Sequence, residues 1–339
     1  MKSKKTLGLI CVILTLFLSG CGPQSKAEHR TDVVMGTLMQ QTLYIQGEND
    51  NITREIFGLS DELEKDFLSK RVEGSEVFLI NSRSGSAFRV SDRMKEMINN
   101  CMQVSEASEG AFDIFHGRLV QLWDIDSAAA KEVQDYKPPV KTAIDEALKT
   151  GGYQNVQMQE NALSLQEFCL LDPGAVGKGI ALDEIAAYLR DKPEITGASV
   201  SVGGSVLVYG IKPDKSPWCI GITDPFNKKG QLGFLEIKEE CYIATSGDYE
   251  RFAMGNGKVY HHILDPATGY PADNGVKSVT IVSREGWLSD ALSTACFVLG
   301  TEKGLVLAEE FGSEALFVTA DGQILMTEGM KSLFRQTKP

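Results

Sequence analysis

The chain has 339 residues, of which 42% are apolar and 24% are charged, a composition typical of a globular protein with a normal core. This length suggests one large domain or two closely packed ones. The 46 acidic and 34 basic side chains give a formal net charge of −12, which argues against nucleic acid or an anionic bilayer surface as the main partner, because phosphate contacts need clustered Lys and Arg.

The first 21 residues have the pattern of a bacterial export signal. Lysines near the start precede an apolar stretch from Leu7 to Leu18, and the segment ends in Leu18-Ser19-Gly20-Cys21. This ending resembles a lipobox, in which the cysteine after the cleavage point is acylated. The apolar stretch is short for a membrane span, although an uncleaved anchor helix is the alternative interpretation.

The N-terminus therefore predicts a protein held at a membrane by lipid rather than by charge. We expect it at the cell membrane, lipid-anchored on the extracytoplasmic side. Three segments follow from this interpretation: a signal peptide over residues 1–20, a lipidated tether over 21–30 that begins at Cys21, and one folded domain over 31–339.

The cysteines that follow Cys21 predict neither a zinc site nor a disulfide framework. They are scattered, odd in number, and form no Cys-x-x-Cys pair. Because most stand in apolar runs, we expect small buried side chains at Cys101, Cys169, Cys219, Cys241 and Cys296.

The first part of the predicted domain alternates between strand and helix patterns. Apolar positions that include Leu38, Leu43 and Ile45 predict a strand within 33–46, and a helical spacing begins at Ile52. Ser91 is a suitable N-cap for a second helix.

The middle of the chain leads into a loop that contains several glycines. Polar residues 124–140 predict a loop that joins two parts of the molecule, and residues 142–149 predict a short helix. A predicted strand at 162–171 runs into the loop 172–179, and an amphipathic helix follows.

The last part of the chain is rich in predicted strands, with Gly, Asp and Pro between them. These strands cover residues 199–202, 207–211, 218–223, 232–237, 259–264 and 276–282. A helix over about 289–311, interrupted near Gly300, precedes a hairpin at Asp321-Gly322. Without a regular βαβ alternation, this order predicts an α+β fold with helices packed on a largely antiparallel sheet.

The loop 172–179 is a candidate phosphate site. A strand, a glycine loop and a helix gather free backbone N–H groups at a helix N-terminus, and Lys178 adds a positive charge there. The spacing matches neither a Walker motif nor Gly-x-Gly-x-x-Gly. From the residues alone, a tight structural turn is an equal alternative.

Asp290 and Thr294 are candidate metal ligands. Residues four apart share one face of a helix, and a carboxylate with a hydroxyl suits Mg²⁺. The alternative is an acid favoured by the helix dipole near the N-terminus, with Thr294 merely facing inward.

His262 is a candidate general base. It follows His261 at the end of a predicted strand, where successive side chains point to opposite faces, so at most one of the two can face a given site. An imidazole suits proton abstraction from a hydroxyl, but a structural histidine is the alternative. Together these residues indicate phosphoryl-transfer chemistry.

Taken in chain order, short segments from about Met35 to the C-terminus resemble the ApbE family of FAD:protein FMN transferases. These segments are Val34-Met35-Gly36-Thr37, Ser75–Asn81, Gly110–Ile114 with Trp123, Leu171–Gly179, Val202–Ser205, Ala244–Tyr249, His261–Gly269 and Ser289–Ala295. Each one is weak alone, but their joint order is specific to the family.

The resemblance implies a T-fold-like architecture of two intimately packed subdomains and a site that binds FAD as a substrate. The implied FAD contacts are Met35, Ala111, Phe112, Asp113, Asp172, Lys178 and the Leu264 main chain. The implied ligands of Mg²⁺, which would bridge the pyrophosphate, are Asp290, Thr294 and the Ala175 carbonyl. His262 would be the base.

The resemblance also implies a reaction and a partner. A Thr or Ser hydroxyl of another protein would attack the phosphorus on the riboflavin side of FAD, and AMP would leave. The implied partner is an exported or membrane redox subunit with an acceptor sequence like Asp-x-x-[Ser/Thr]-Gly-Ala-Thr. Two alternatives stay open: an FAD pyrophosphatase, in which water attacks, and a flavin-binding lipoprotein without turnover.

Two positions depart from the family pattern. Arg71 stands four residues before Ser75, where relatives often carry Tyr, so a ring-stacking contact to the flavin is in doubt. Ser293 stands where some relatives carry a second acid, which favours one metal ion over two.

Overall fold

The computed structural model describes residues 26–47 and 51–337, so the predicted signal peptide and Cys21 lie outside the described residues. Within these ranges, no helix combines the length and the apolar character needed to cross a membrane. The tether prediction for 21–30 is wrong for its last part, because residues 26–30 belong to a strand that pairs along its whole length with the next one.

The helices of the described residues are mostly short and amphipathic. Their bounds are α1 (Ile52–Leu63), α2 (Glu76–Asn81), α3 (Asp92–Ala107), α4 (Gly117–Trp123), α5 (Ile125–Ala130), α6 (Lys141–Thr150), α7 (Gly177–Arg190), α8 (Gly286–Leu299), α9 (Thr301–Glu310) and α10 (Glu328–Leu333). A π-helical turn (Glu64–Leu68) continues α1, and 3₁₀ turns occur at Tyr153–Asn155 and Pro173–Ala175.

The strands begin before the first helix and dominate the second half of the chain. Their bounds are β1 (Lys26–Val34), β2 (Thr37–Ile45), β3 (Ala87–Arg89), β4 (Val156–Gln159), β5 (Ala162–Leu165), β6 (Ile195–Val202), β7 (Ser205–Gly210), β8 (Trp218–Asp224), β9 (Asn227–Ile237), β10 (Cys241–Gly247), β11 (Phe252–Gly255), β12 (Lys258–His261), β13 (Val276–Ser283), β14 (Glu314–Thr319), β15 (Ile324–Met326) and β16 (Phe334–Gln336).

One large sheet organises the molecule. Its eight strands follow the order β1-β2-β6-β7-β10-β13-β14-β15, and every neighbouring pair is antiparallel. Smaller sheets are formed by β3-β5-β4, by β16-β9-β8 and by the β11–β12 hairpin. Helices α7 and α8 pack against the central strands β7, β10 and β13 of the large sheet. The predicted α+β fold with a largely antiparallel sheet is confirmed.

The alternation along β2 shows where the core lies. Met39, Leu43 and Ile45 are buried on the face that packs against α1 and α7, as a period of two requires. Leu38 belongs to the other set of alternating positions, so its side chain lies on the opposite face of the sheet, where it is 55% exposed.

Helix boundaries followed their local signals more closely. The Ser91 hydroxyl accepts a hydrogen bond from the Met94 N–H at 3.1 Å, which confirms the predicted N-cap of α3. Gly300 has a φ of +83° and separates α8 from α9, as predicted. The loop predicted for 124–140 is wrong in part, because α5 lies within it. Its short buried stripe, Ile125 and Ala128, gave too little periodicity to detect.

The cysteines are free thiols throughout the described residues. Four are buried as expected, at Cys101, Cys169, Cys241 and Cys296. Cys219 is exposed, because it occupies an outward position of β8 between the buried Trp218 and the half-buried Ile220.

A contact between two glycines sets how closely α7 and α8 cross. A Cβ on Gly179 would lie 2.8 Å from the Trp287 nitrogen and closer still to the Gly286 carbonyl. A Cβ on Gly286 would in turn lie 3.0 Å from the Gly179 carbonyl carbon. The Asp183 carboxylate then accepts hydrogen bonds from the N–H groups of Gly286 and Trp287 at 2.7 and 2.8 Å, which caps α8 from α7.

Gly179→Ala is expected to destabilise the fold by at least about 1–3 kcal/mol, because the added methyl group must force the two helix backbones apart. Chemical denaturation measures this loss. Gly58→Ala on α1 is the matched control, since no atom lies within 4 Å of its added Cβ. That variant should gain about 0.5–1 kcal/mol. Equal effects of the two substitutions would contradict the role of the crossing.

Candidate active site

The loop 172–179 leaves backbone donors free at the start of α7. The Asp172 carboxylate accepts a hydrogen bond from the Gly174 N–H at 3.0 Å, which shapes the 3₁₀ turn. The N–H groups of Gly177 and Lys178 donate to no acceptor within residues 26–47 and 51–337. Free N–H groups at a helix N-terminus next to a lysine are suited to binding an anion, as the phosphate-binding interpretation requires.

Asp172 is held by contacts that no local pattern indicated. Its other carboxylate oxygen forms an ion pair with the Lys70 ammonium group, and its main-chain N–H donates to the Ile114 carbonyl at 2.7 Å. The second bond joins the loop 172–179 to Ile114, the residue after the turn at 111–113. The Asp172 carboxylate is therefore already paired with Lys70, and a ligand that contacts it has to do so beside that ion pair.

The Ala111-Phe112-Asp113 turn is anchored from inside. Phe112 is a core side chain at 1% exposure. The buried Asp113 carboxylate accepts N–H bonds from Phe115 at 2.8 Å and from Tyr153 at 2.7 Å. Burial raises the pKa of Asp113 to about 6. Because both side chains are occupied in this way, Phe112 and Asp113 can meet a ligand only through their main chain, while Ala111 is half-buried.

Met35 occupies an unusual backbone position. Met35 and Gly36 form the two-residue turn between β1 and β2, with φ values of +52° and +69°. A bulky residue with positive φ is an outlier, and such outliers cluster at functional sites. The Met35 N–H donates to Glu64 Oε2 at 2.8 Å, and its Cε lies 3.3 Å from where a Cβ on Gly177 would stand. Met35 therefore borders the first turn of α7.

Asp290 lies on α8 directly beside that turn. Its Oδ2 accepts the Gly179 N–H at 2.7 Å and lies 3.8 Å from Lys178 Nζ, and its Oδ1 accepts the Ser205 hydroxyl at 2.5 Å. The Asp290 side chain is 3% exposed. This burial follows from the α7–α8 crossing, which presses the start of α7 onto the carboxylate.

The donor atoms of Asp290, Thr294 and Ala175 are chemically suited to a magnesium ion. Each Asp290 oxygen keeps a lone pair beyond the bond that it accepts. Thr294 is half-buried one turn away, and neither its hydroxyl nor the Ala175 carbonyl has a hydrogen-bond partner among the described residues. A carboxylate, a hydroxyl and a main-chain carbonyl are hard oxygen donors of the kind Mg²⁺ prefers.

Ser293 is engaged elsewhere. Its hydroxyl donates to the Asp290 carbonyl at 2.9 Å and lies 2.8 Å from the Ser246 hydroxyl, so it fastens α8 to β10. Within the described ranges, no group of three or more His, Cys, Asp or Glu side chains is placed to hold a metal ion.

The two adjacent histidines have different surroundings, and His262 lies just after the end of β12. His261 is buried, contacts the Phe297 ring edge-on and has its Nε2 2.9 Å from the Ala272 carbonyl. His262 is half-buried, and its Nδ1–H donates to the Arg251 carbonyl at 3.2 Å. This bond leaves the lone pair on His262 Nε2. Burial, with a further contribution from Arg251, lowers the pKa of His262 to about 4, so the imidazole is neutral and able to take a proton.

The turn between β6 and β7, Gly203-Gly204, lies beside the side chains of Lys178 and Glu250. The Lys178 side chain lies 3.6 Å from the position of a Cβ on Gly203, and the Glu250 carboxylate lies 3.1 Å from that of a Cβ on Gly204. Glu250 precedes Arg251, whose carbonyl holds His262. Leu264 follows two residues later and pairs with Pro271 in an isolated bridge.

Several residues that shape this site were not identified from the sequence. Ser205 stood inside a recognised segment without an assigned role. Lys70, Asp183 and Arg251 act through contacts made 102, 103 and 125 residues away along the chain, to Asp172, Gly286 and Asp126. Such contacts leave no local signal.

Comparison with known proteins gives one consistent result. The model of the ApbE family matches residues 35–317. The FAD:protein FMN transferase of Treponema pallidum is 31% identical over 95% of this chain and 92% of its own length. The Vibrio cholerae serotype O1 protein of the same description is 30% identical over 89% of this chain and 90% of its own.

Solved structures agree with the sequence relatives. The ApbE protein of Thermotoga maritima has a TM-score of 0.83 and 32% identity, covering 92% of this chain and 100% of that one. The apo flavinyl transferase ApbE of Pseudomonas stutzeri has a TM-score of 0.78 and 29% identity, covering 92% and 98%.

Proposed function

The chain belongs to the ApbE family, and from this premise we propose that it is an FAD:protein FMN transferase. The observation that carries the proposal is the assembly at the start of α7, where free N–H groups and Lys178 stand beside Asp290. We propose FAD as the substrate and Mg²⁺ as the metal ion.

The start of α7 would bind the pyrophosphate of FAD. The N–H groups of Gly177 and Lys178 and the Lys178 ammonium group offer positive partial and full charge to it. Met35 and the main chain of 111–113 border the same loop. Bound Mg²⁺ would neutralise charge on the pyrophosphate, with Asp290, Thr294 and the Ala175 carbonyl as its protein ligands.

His262 would activate the acceptor. Its Nε2 takes the proton of a Thr or Ser hydroxyl as the hydroxyl oxygen forms a bond to the phosphorus on the riboflavin side of FAD. The bond from that phosphorus to the bridging oxygen breaks, and AMP leaves with this oxygen. The Arg251 carbonyl keeps the Nδ1 proton in place during the step. Phosphoryl transfer depends mainly on such positioning and on charge neutralisation.

The partner and the location are part of the same proposal. The acceptor would be an exported or membrane redox subunit with a sequence like Asp-x-x-[Ser/Thr]-Gly-Ala-Thr. Acylation of Cys21 would keep the enzyme on the extracytoplasmic side of the cell membrane, where that subunit is accessible. The lipobox-like sequence supports this placement.

A second candidate is hydrolysis of FAD to FMN and AMP. Arg71, which stands where relatives often carry Tyr, is exposed beside the loop that holds Lys70. Without an aromatic ring to stack on the flavin, water has easier access to the same phosphorus.

An AMP-release assay with FAD and Mg²⁺ tests the proposal. The full-length protein in detergent is assayed with and without an acceptor domain that carries the Thr sequence, and the acceptor is analysed by mass spectrometry. AMP that appears with acceptor, together with an FMN mass on it, supports the transferase. Free FMN beside an unmodified acceptor would indicate the pyrophosphatase, and intact FAD would indicate a flavin-binding protein without turnover.

The pH dependence of transfer should reflect the low pKa of His262. A histidine becomes protonated as the pH falls through its pKa, and a pKa of about 4 moves that loss of the base far below the ordinary value of 6.5. The kcat/KM for the acceptor should therefore stay level between pH 7 and about pH 5 and fall below that. Arg251→Gln should move the fall to higher pH. A fall in kcat/KM centred near pH 6.5 in the unmodified enzyme would contradict the lowered pKa of His262.

A further inference from the structure

The β11–β12 hairpin stands apart from the large sheet and ends at the proposed base. Its strands, Phe252–Gly255 and Lys258–His261, pair only with each other in the described part of the chain. The two-residue turn Asn256-Gly257 has φ values of +52° and +72°. His262 is the next residue after β12, so the free side of this strand leads directly to the candidate active site.

The register shows which main-chain groups of the hairpin are unused. In a hairpin with a two-residue turn, Gly255 and Lys258 form the hydrogen-bonded pair, so Met254 and Val259 form a non-hydrogen-bonded pair whose N–H and C=O groups point outward. The outward Met254 carbonyl accepts the Tyr136 N–H at 2.8 Å. The corresponding groups of Val259 have no partner among the described residues.

The same edge already holds an extended segment further along. Beyond β12, the Ile263 carbonyl accepts the Ala272 N–H at 3.0 Å, and Leu264 pairs with Pro271. Within the described part of the chain, the main-chain groups of Val259 are therefore unpaired on the same edge where Ile263 and Leu264 are already paired with residues 271–272. Val259 is 51% exposed and Met254 beside it is 42% exposed, so an apolar surface borders the open edge. A free edge with exposed apolar side chains is a template for an added strand.

Charge around the hairpin indicates what kind of segment it would accept. Residues 251–262 contain Arg251 and Lys258 and no acid, in a chain with 46 acidic side chains. Lys228 lies 4.8 Å above the Phe252 ring. Within the described ranges Lys258 forms no ion pair, and neither does Lys228, whose ammonium group donates to the Tyr249 carbonyl. Arg251 is paired with Asp126. An acidic extended peptide complements this combination of cations, apolar surface and open edge.

We propose that the outer edge of β12 at Val259 is the docking site for an extended, acidic segment of the acceptor protein, which adds as a strand and carries its hydroxyl towards His262. His262 is three positions beyond Val259, roughly 10 Å along a strand. A segment paired at Val259 thus brings a residue about three positions further along to the base. This inference rests on the proposed transferase function and adds the mode of acceptor recognition.

Val259→Pro tests the main-chain contact. Proline removes the outward N–H without removing a hydrogen bond between β11 and β12, and edge strands tolerate proline at such positions. The full-length protein in detergent is assayed for FMN transfer to an acceptor domain that carries the Thr sequence. We expect the acceptor KM to rise about five- to tenfold, the effect of losing one hydrogen bond, with unchanged FAD affinity. Val259→Ala, which keeps the N–H, should stay within about twofold of the unmodified enzyme.

Val33→Pro is the matched control. Val33 is also an exposed valine on an edge strand, in a non-hydrogen-bonded position next to a two-residue turn. It should leave the acceptor KM unchanged. Lys258→Glu provides a second test that does not alter the backbone, and should also raise the acceptor KM. Lys238→Glu, an exposed lysine at the other end of β9 from Lys228, should not.

Three results would overturn the inference. An acceptor KM that is unchanged in both Val259→Pro and Lys258→Glu would show that the edge is not used. A dimer of the unmodified protein that Val259→Pro dissociates, seen by sedimentation, would show that a second copy of the chain occupies the edge. An acceptor left unmodified by the unaltered enzyme would instead remove the transferase function, and the inference with it.

Discussion

Asp290→Asn is expected to reduce Mg²⁺-dependent AMP release at least about 100-fold at low metal concentration. Loss of a residue that merely hydrogen-bonds a metal ligand already costs 10- to 100-fold in such sites, and here the ligand loses its charge. The amide keeps one oxygen that can accept from Ser205 or Gly179. Titration of activity with Mg²⁺ measures the effect, and excess metal should recover part of it.

Asparagine is a sharper test than alanine at this position. Asp290→Ala would leave the Gly179 N–H and the Ser205 hydroxyl without an acceptor in a buried place, at about 1–3 kcal/mol for each group, so lost activity could reflect a damaged fold. Asp183→Asn is the control, because Asp183 is a half-buried acid that also accepts two N–H bonds across the same helix pair. It should lower stability and leave the Mg²⁺ dependence unchanged. Activity of the unmodified enzyme in EDTA would refute the metal assignment.

His262→Ala is expected to lower the rate of FMN transfer about 10²- to 10⁴-fold, the usual contribution of a positioned base, without weakening FAD binding. Single-turnover transfer measures the chemical step, and flavin fluorescence measures binding. The neutral imidazole with its free Nε2 is the reason for the expectation.

The neighbouring histidine supplies the comparison for this variant. His261→Asn alters a buried side chain that bonds the Ala272 carbonyl, so it should reduce stability but preserve most of the transfer rate in the folded protein. Transfer by His262→Ala at the unmodified rate would remove His262 as the base.

Local chemistry explains which elements could be predicted from the sequence. Ser91 caps α3 and Gly300 separates α8 from α9, because a cap and a left-handed glycine act within one turn of the chain. Strand ends were harder to predict. The strand predicted at 162–171 ends at Leu165, and the one predicted at 259–264 ends at His261, since the apolar run continues after the ladder stops.

The candidate site was predictable as a set of segments but not as an arrangement. The segments around Lys178, Asp290 and His262 were identified, and the structure places Lys178 and Asp290 side by side. The burial of Asp290 was missed, because the pattern of one helix does not show which backbone packs over it. The Lys70–Asp172 pair was missed for a related reason, since only the tertiary fold brings the two residues together.

The pairing of β1 along its full length has a consequence for where the enzyme can work. Cys21 and Lys26 are five residues apart in the chain, which limits their separation to about 18 Å. The nine residues of β1 add about 30 Å up to the Met35 turn. With Cys21 acylated as proposed, that turn stays within about 50 Å of the lipid anchor. The active site would then remain close to the membrane surface, and the enzyme would encounter its acceptors by lateral diffusion in the membrane plane. The rate of flavinylation would therefore depend on the surface density of the acceptors rather than on their bulk concentration.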